Sequence, residues 1–375
     1  MTEREAFIAL NRVSGLGAIT VKRLIEAFGS AAAIFGADEA ALRRVPGIGP
    51  ERSRGFREEM DRVGFADELA RADQLGVNLL TWADPGYPAI LRQIADPSLV
   101  LYVTGAVEAL SGPSIAVVGT RHPTVYGRET ARKLGFQLAG AGYVVVSGLA
   151  FGIDTEAHRG ALQAGGRTVA VLGGALDCLY PQENEGLARE MAANGGAVAT
   201  EYPFGRQPDR QTFPMRNRIV SGLSRGVVVV EAPLNSGTLI TVDQALDQGR
   251  TVMAVPGRAD SPASQGCHRL IRNGARLVAG ADDVIEELQE LIPAGAPRRA
   301  GTAPPDAAAP PPAAAPPATP EERRVLGLLG DEPLHIDAVI RDSGLPAGTV
   351  NALLVGLQIR RRVRLLPGGM VRRYA

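Results

Sequence analysis

Short runs of Val, Ile and Ala alternate along the middle of the chain with segments of helical length. The runs lie, in order, at 114–119, 143–148, 168–174, 197–202, 226–232, 251–257 and 276–280. Continuous apolar runs are typical of strands covered on both faces, as in parallel sheets flanked by helices. The pattern predicts an α/β core with a parallel sheet, whose right-handed crossovers place the loops after the strands along one edge.

Composition marks two boundaries around this core. Residues 293–320 contain ten prolines and eleven alanines without a large apolar residue, which is the composition of a semi-rigid linker. A second boundary falls in the Pro-containing stretch before the first apolar run. We therefore expect these units: a helical domain at 1–80, a connecting segment at 81–111, the α/β core at 112–292, the linker at 293–320 and a small domain at 321–375.

The N-terminal domain contains two similar turns between helical segments. Gly15-Leu16-Gly17 and Gly47-Ile48-Gly49 each precede a helical pattern, as in helix-hairpin-helix elements. Such turns expose backbone N–H groups at a helix start and can hold DNA phosphates without reading sequence. The same turns also serve purely structural and protein-contact roles, so the sequence leaves both interpretations open.

The last 55 residues or so read as helix, helix, turn and helix, followed by a hairpin around 367–369, which is the order of a winged helix. The candidate recognition helix begins near Thr349 and carries no positive charge, which argues against ordinary major-groove reading. Arginines follow it instead, at Arg360, Arg361, Arg362, Arg364, Arg372 and Arg373. A protein contact or a weak phosphate contact is as compatible with this pattern as sequence-specific binding.

Charge and cysteine content exclude several classes of protein. Lys+Arg and Asp+Glu both number 40, so the chain is not uniformly basic, although a local basic surface remains compatible. The two cysteines, Cys178 and Cys267, are too far apart in the sequence for a metal-ligand motif and too few for a disulfide framework. The start of the chain has no apolar run suited to a signal peptide or a membrane span. We expect a cytoplasmic protein without a membrane partner.

Three predicted loops at the C-terminal edge of the sheet combine small residues with hydroxyls or a guanidinium. They are Gly119-Thr120-Arg121, Ser147-Gly148 and Ser236-Gly237. Glycine lets the backbone approach an anion, helix starts offer N–H groups, and a guanidinium binds phosphate. Because all three loops would lie along one edge, together they predict a phosphate-binding surface.

A fourth segment interleaves arginines with an aromatic residue. It contains Arg206, Arg210, Phe213, Arg216 and Arg218 before a helical pattern. Arginine for the phosphates and phenylalanine for base stacking are typical of proteins that bind single-stranded nucleic acid. The alternative is a solvated loop whose phenylalanine packs into the core.

Other chemistry lacks its usual pattern. No GxGxxG follows the first strand and no GxxxxGK[ST] is present, so a dinucleotide cofactor or a P-loop is not expected. Asp154 and His158 share one helix face without a third ligand, and Asp154 suits a helix cap. Ser147 lacks the GxSxG turn of a hydrolase nucleophile. We expect no metal, no cofactor and no catalytic residue.

Long strings across 112–280 resemble the DNA-processing protein DprA (Smf) family. They are the GTR of 119–121, SGLAFGIDTEAHRGAL at 147–162, TVAVLGGALDCLYPQEN at 168–184, TEYPFG at 200–205, FPMRNRIVSGLS at 213–224, VVVVEAPLNSGTLITVDQAL at 227–246 and AVPGRADSPASQGCHRLIRNGA at 254–275. The resemblance implies an extended Rossmann-like core that forms a homodimer. The helical N-terminal domain and the C-terminal winged helix look like accessory domains of this family.

The same resemblance implies a non-enzymatic protein that binds single-stranded DNA, protects incoming DNA in natural transformation and loads the RecA recombinase in recombination. Its DNA pocket would involve Arg121, the turn at Ser147 and Gly148, and the stretch with Arg210, Phe213, Arg216 and Arg218. Arg210 stands where members often have lysine. The surfaces for RecA and for the dimer are not assigned by it.

Two other classes compete with this interpretation. Rossmann-like nucleoside-monophosphate phosphoribohydrolases carry PGGxGTxxE after a strand, but here Thr241 stands where they need the glutamate. A winged-helix regulator with a ligand-sensing core would prefer particular duplex sequences, and the uncharged candidate recognition helix disfavours it.

Overall fold

The computed structural model describes residues 1–289, 319–330, 334–359, 362–366 and 370–373. These residues form two compact units, one before and one after the segment 290–318. Most of the expected linker at 293–320 therefore lies outside the described residues. Within the described ranges, no helix combines the length and the apolar character needed to cross a membrane.

The first unit contains fourteen α-helices and nine strands. The helices are α1 (Glu3–Leu10), α2 (Ala18–Phe28), α3 (Ala31–Ile34), α4 (Glu39–Leu42), α5 (Pro50–Arg62), α6 (Ala66–Leu75), α7 (Ala89–Arg92), α8 (Val125–Gly140), α9 (Ile153–Gln163), α10 (Glu185–Ala193), α11 (Thr212–Gly222), α12 (Thr238–Asp247), α13 (Gln265–Arg272) and α14 (Ala281–Gln289). The strands are β1 (Asn78–Thr81), β2 (Val100–Gly105), β3 (Ser114–Val118), β4 (Val144–Ser147), β5 (Thr168–Val171), β6 (Ala197–Thr200), β7 (Gly226–Val229), β8 (Thr251–Ala254) and β9 (Arg276–Leu277).

All nine strands form one sheet in the order β1-β2-β6-β5-β4-β3-β7-β8-β9. Strands β3 to β9 run parallel to one another, whereas β1 and β2 are antiparallel additions at one side. Each of the seven predicted apolar runs contains one parallel strand, which confirms the predicted α/β core. Both faces are covered, since Ala116 and Val118 lie in one apolar cluster and Ile115 and Val117 in another.

The chain order along the sheet reverses between β3 and β7. Strands β4, β5 and β6 follow on one side of β3, and β7, β8 and β9 follow on the other side. The loops after β3 and β7 therefore diverge and leave a crevice between them. Ligands of open α/β sheets bind at such a switch point, outside the carboxyl ends of the strands.

The segment 81–111, expected to be a connection, contributes β2 to the sheet. Val100, Leu101, Tyr102 and Val103 are fully buried, and β2 pairs with both β1 and β6. The neighbouring prolines suggested a linker, but this apolar run needs to be covered on both faces. The α/β sheet thus begins at β1, within the expected N-terminal domain.

The N-terminal helices contain the two predicted hairpin turns. Gly17 precedes α2 and Gly49 precedes α5, which begins with Pro50. Arg52 joins the turns, because its guanidinium donates to the Gly47 carbonyl oxygen at 2.9 Å and to the Gly15 carbonyl oxygen at 3.3 Å. The two hairpins therefore form one packed pair.

The second unit has three helices and a small antiparallel sheet. These elements are α15 (Pro320–Leu328), α16 (Ile336–Ser343), α17 (Ala347–Ile359), β10 (Leu334–His335), β11 (Val363–Leu366) and β12 (Met370–Arg373), with the strand order β10-β12-β11. This arrangement confirms the predicted winged helix. Arg372 and Arg373 lie on β12 and are exposed, whereas Arg360 and Arg361 fall outside the described residues.

Candidate nucleic-acid interface

A cleft of about 450 Å³ lies at the switch point between β3 and β7. The loops after β3 and β4 and the first turns of α11 and α12 form its walls. Of the predicted site residues, the cleft is lined by Gly119, Thr120, Arg121, Gly148, Arg210, Phe213, Arg216, Ser236 and Gly237. Residues that are far apart in the sequence thus meet at one edge of the sheet.

The loop after β3 is fixed by its own backbone and presents the Arg121 side chain. The Thr120 N–H donates to the Glu231 carbonyl oxygen at 2.8 Å, and the Thr120 carbonyl oxygen accepts from the Ile153 N–H at 3.2 Å. A Cβ at Gly119 would lie 2.5 Å from Ile153 Cγ1 and 2.8 Å from the Glu231 carbonyl oxygen. Gly119 and buried Thr120 therefore position the loop, and exposed Arg121 is its group available to a ligand.

The start of helix α8, directly after this loop, already has an anionic partner. The Glu231 carboxylate accepts from the Thr124 N–H at 2.9 Å and from the Thr124 hydroxyl at 2.6 Å. A carboxylate at this position satisfies the helix N-terminus and its positive end. The helix start is therefore already occupied, and the Arg121 guanidinium is the cation that this loop presents to the cleft.

Phe213 is half-buried in the cleft wall and lies beside Arg121. The central guanidinium carbon of Arg121 lies 5.1 Å from the Phe213 ring centroid, and the Tyr180 ring lies 5.9 Å from it at an interplanar angle of 53°. The ring also packs on Gly173, where a Cβ would come within 2.7 Å of Phe213 Cδ1. The sequence left two alternatives for Phe213, a base-stacking position and a core position. The ring meets both descriptions, because it packs against Gly173 and also borders the cleft.

The turn after β4 is directed inward. Ser147 is fully buried and its hydroxyl donates to the Val117 carbonyl oxygen at 2.7 Å. Asp154 accepts from the Gly148 N–H at 3.1 Å and from the Ala150 N–H at 3.4 Å. Burial raises the pKa of Asp154, and the nearby Arg216 charge opposes that shift. These donors are engaged inside the protein, and buried Ser147 does not line the cleft.

Arg216 forms part of the floor of the cleft. Its guanidinium donates from Nη1 to the Gly148 carbonyl oxygen at 2.6 Å and to the Val171 carbonyl oxygen. A Cβ at Gly148 would lie 2.6 Å from Arg216 Nη2, so only glycine leaves room for this group. Burial lowers the pKa of Arg216 to about 10. The side chain ties the loop after β4 to the end of β5 and places a positive charge near Asp154 beneath the cleft.

Arg218 lies away from the cleft. It donates to Asp96 at 2.8 Å and to Glu201 at 2.5 Å, in a largely buried ion pair. Burial alone would lower its pKa, but the two carboxylates raise it. Two residues after Arg216 on one helix, a side chain is rotated by about 200° and faces the opposite side. The structure therefore does not bring Arg218 to the predicted site.

The far wall of the cleft consists of the start of α12 and the loop before α11. Ser236 shares hydrogen bonds with Thr238, from its hydroxyl to the Thr238 hydroxyl at 2.9 Å and from the Thr238 N–H to Ser236 Oγ at 3.3 Å. Gly237 and Arg210 are exposed beside them. Arg210 thus faces the same cleft as Arg121.

Sequence reasoning missed two exposed aromatic residues beside Arg121. Phe151 and Tyr180 border a smaller cavity that Arg121 and Phe213 also line. The sequence does not show that these two rings are exposed, and an apolar aromatic residue is usually assigned to the core. Together with Phe213 they place three aromatic rings around one small cavity that Arg121 also borders.

Titratable groups near the cleft are held in internal contacts. His158 is fully buried, its Nδ1 lies 2.6 Å from the Thr168 hydroxyl, and burial lowers its pKa to about 3. Thr241 lines the cleft at the position of the hydrolase glutamate, and Asp154 is the carboxylate among the described lining residues. No group of three or more His, Cys, Asp or Glu among the described residues is arranged to hold a metal ion.

The fold and the cleft define a Rossmann-like α/β protein with a basic and aromatic cleft at its strand switch point. The family model for DNA recombination-mediator protein A matches residues 78–289, more than half of the chain, and the chain therefore belongs to this family of DNA-processing proteins. The model of the DprA winged helix domain matches 309–369, and that of the SAM-like helix-hairpin-helix tandem matches 7–54.

Individual relatives agree with this assignment. The chain is 34% identical to Protein Smf of Synechocystis, with 98% of each chain covered, and 44% identical to DNA processing protein DprA of Bacillus subtilis, over 59% of this chain and 75% of that protein. The solved structure of DNA processing protein A from Streptococcus pneumoniae matches with a TM-score of 0.66 and 36% identity, covering 76% of this chain and 98% of that one. The protein from Helicobacter pylori, whose structure concerns its single-stranded DNA binding mode, matches with a TM-score of 0.51 and 30% identity, over 57% and 96% of the chains.

Proposed function

We propose that this protein binds single-stranded DNA in the cleft at the switch point, protects incoming DNA and loads RecA onto it in natural transformation and recombination, without catalysing a reaction. The observation that carries the proposal is the Arg121 guanidinium stacked over Phe213, with Arg210 across the same cleft. The related protein from Helicobacter pylori, which is described with a single-stranded DNA binding mode, supports it.

Binding in this cleft is independent of base sequence. Arg121 and Arg210 contact phosphates, and exposed Gly237 borders the same space. A base stacks against the planar guanidinium of Arg121 or against Phe213, since every base has a π-face. Arg216 contributes positive charge from below and keeps the floor of the cleft in place.

The Rossmann-like domain forms a homodimer in this proposal, so that two clefts engage one strand with avidity. The free side of the sheet supports self-association. Strand β9 lies at the end of the sheet, and the large apolar side chains Leu246 and Leu277 are exposed there on α12 and β9. Exposed apolar groups beside an unpaired strand edge favour contact with another chain.

The experiment that tests the DNA-binding step is a fluorescence anisotropy titration with oligo-dT and a matched duplex at several salt concentrations. We expect a preference for the single strand. Arg121→Ala should weaken binding to all sequences and reduce the salt slope by about 0.7, the value of one phosphate contact on a single strand. The control is Arg225→Ala, an exposed arginine that precedes β7 at the opposite edge of the sheet.

Equal binding to duplex, or an unchanged affinity and slope in Arg121→Ala, would move the DNA site away from the cleft. The RecA step is tested separately, by strand exchange on DNA coated with a single-strand-binding protein. Addition of the protein should shorten the lag before RecA filaments form, and Arg121→Ala should lengthen it again. A lag that the protein does not change would remove RecA loading from the proposal.

A further inference from the structure

A second pocket, of about 470 Å³, shares Arg121 and His122 with the cleft. Its lining includes the side chains of Arg121, Arg128, Phe151, Arg159 and Glu183. Arg128 and Glu183 are exposed, and Arg159 is half-exposed. None of these residues except Arg121 belongs to the predicted DNA site, and the cleft does not explain why three guanidinium groups converge here.

The cleft and this pocket are linked by shared lining residues. The small cavity between them is lined by Arg121, Phe151, Tyr180 and Phe213. Arg121 borders all three spaces, Phe213 borders the cleft and the cavity, and Phe151 borders the cavity and the second pocket. From the cleft to the second pocket, cationic and aromatic side chains therefore lie next to one another.

The charges in the second pocket leave a net attraction for an anion. Glu156 is neutralised by Arg132, whose Nε lies 2.7 Å from Oε2, and its other carboxylate oxygen lies 3.2 Å from Arg159 Nη1. Arg128 donates from Nη1 to the Pro123 carbonyl oxygen at 3.1 Å, a neutral partner that leaves its charge uncompensated. Glu183 is the opposing charge on this surface.

We propose that the second pocket is a further phosphate-binding subsite for the same single strand. The strand leaves the cleft past Arg121, a base lies against Phe151 or Tyr180, and the next phosphates lie near Arg128 and Arg159. Alternating stacking platforms and cations are the arrangement with which proteins follow a single strand. This inference rests on the proposed binding of single-stranded DNA in the cleft, and it assigns the direction in which a longer strand continues.

The test is a length series of oligo-dT from about 4 to about 16 nucleotides, titrated against the full chain and the double variant Arg128→Gln/Arg159→Gln. The shortest strands fit in the cleft and should bind both proteins equally. For the longest strands, the double variant should bind about threefold to tenfold more weakly, as expected for two partly exposed ionic contacts. Its salt slope should fall by about 1.4, for two phosphates.

The matched control is Arg167→Gln/Arg225→Gln, which removes the same charge from exposed positions before β5 and β7 at the opposite edge of the sheet. It should leave both the length dependence and the slope close to those of the parent protein. If the control loses as much affinity for long strands as the double variant, then binding depends only on the net charge of the protein. That result would overturn the proposed subsite.

A variant of opposite sign guards against loss of folding. Glu183 is exposed, so Glu183→Gln should fold normally. By removing a negative charge, it should strengthen the binding of long strands and leave the binding of short strands unaffected.

If the parent protein fails to prefer single strands, the proposed function fails. If the parent binds single strands but neither Glu183→Gln nor the arginine pair changes the length dependence, the cleft stands and the second subsite is wrong.

Discussion

The Arg121 guanidinium lies over the ring of Phe213, with its central carbon 5.1 Å from the ring centroid. One residue comes from the loop after β3 and the other from the first turn of α11, on two walls of the same cleft. A cation suited to phosphate and a ring suited to base stacking are thus held side by side. Groups proposed to contact DNA and groups that maintain the cleft should therefore respond differently to substitution.

Phe213→Ala should weaken binding of single-stranded DNA by about 1 to 3 kcal/mol, because a base loses its stacking partner. The ring is half-buried, so the variant should remain folded. The measurement is an oligo-dT titration together with thermal unfolding, and Phe213→Tyr, which keeps an aromatic face, is the control. A large loss of stability with unchanged affinity of the folded fraction would instead assign Phe213 to the core.

Arg216→Met should destabilise the protein rather than remove one phosphate contact. The Gly148 and Val171 carbonyl oxygens would lose a buried donor, at a cost of about 1 to 3 kcal/mol for each unsatisfied group. Urea unfolding measures the change. Gly148→Ala should have a similar effect, because its Cβ would lie 2.6 Å from Arg216 Nη2. Full stability in Arg216→Met, with the salt slope reduced as in Arg121→Ala, would contradict this structural role.

Arg218→Met should lower the free energy of unfolding by about 3 to 5 kcal/mol, because the Glu201 carboxylate would remain largely buried without its cation. Its effect on the salt slope of DNA binding should be negligible. Arg206→Gln is the matched control, since it breaks an exposed pair with Asp209 and should cost about 1 kcal/mol or less. A reduced slope in folded Arg218→Met would place that arginine on the DNA after all.

Stability should fall as the pH is lowered from about 6.5 towards 3, because His158 is buried in its neutral form. The unfolded chain takes up this proton near pH 6.5, whereas burial lowers the pKa in the folded protein to about 3. The unfolded state therefore binds more protons within this window, and the cost between pH 7 and pH 5 is about 2 kcal/mol.

The difference between the parent protein and His158→Asn isolates this effect from Asp154, whose raised pKa acts in the opposite direction. Asparagine retains an N–H donor for the Thr168 hydroxyl, the partner of His158 Nδ1, but does not titrate. Urea unfolding at a series of pH values should give a shallower pH dependence for the variant. Parallel curves would show that His158 is not the group responsible.

Much of the fold follows from local patterns in the sequence. Each apolar run of the core contains a parallel strand, and β3 to β8 are buried because an apolar extended segment is stable when both its faces are covered. Strand β2 was missed, since its buried run of Val100 to Val103 lies between prolines that resemble a linker. The winged helix and the paired hairpins were also predicted, from turn residues between helical segments.

The sequence by itself determined that the loops after the strands meet at one edge, and so it brought Arg121, Arg210 and Phe213 into one predicted site. Only the tertiary structure decided which of the arginines face solvent. Arg216 and Arg218 lie two residues apart, yet one supports the floor of the cleft and the other pairs with Glu201 and Asp96. The physical reason is that the hydrogen-bond and ion-pair partners of an arginine decide where its guanidinium lies. The partners of Arg216 and Arg218 come from strands and loops that are distant in the sequence.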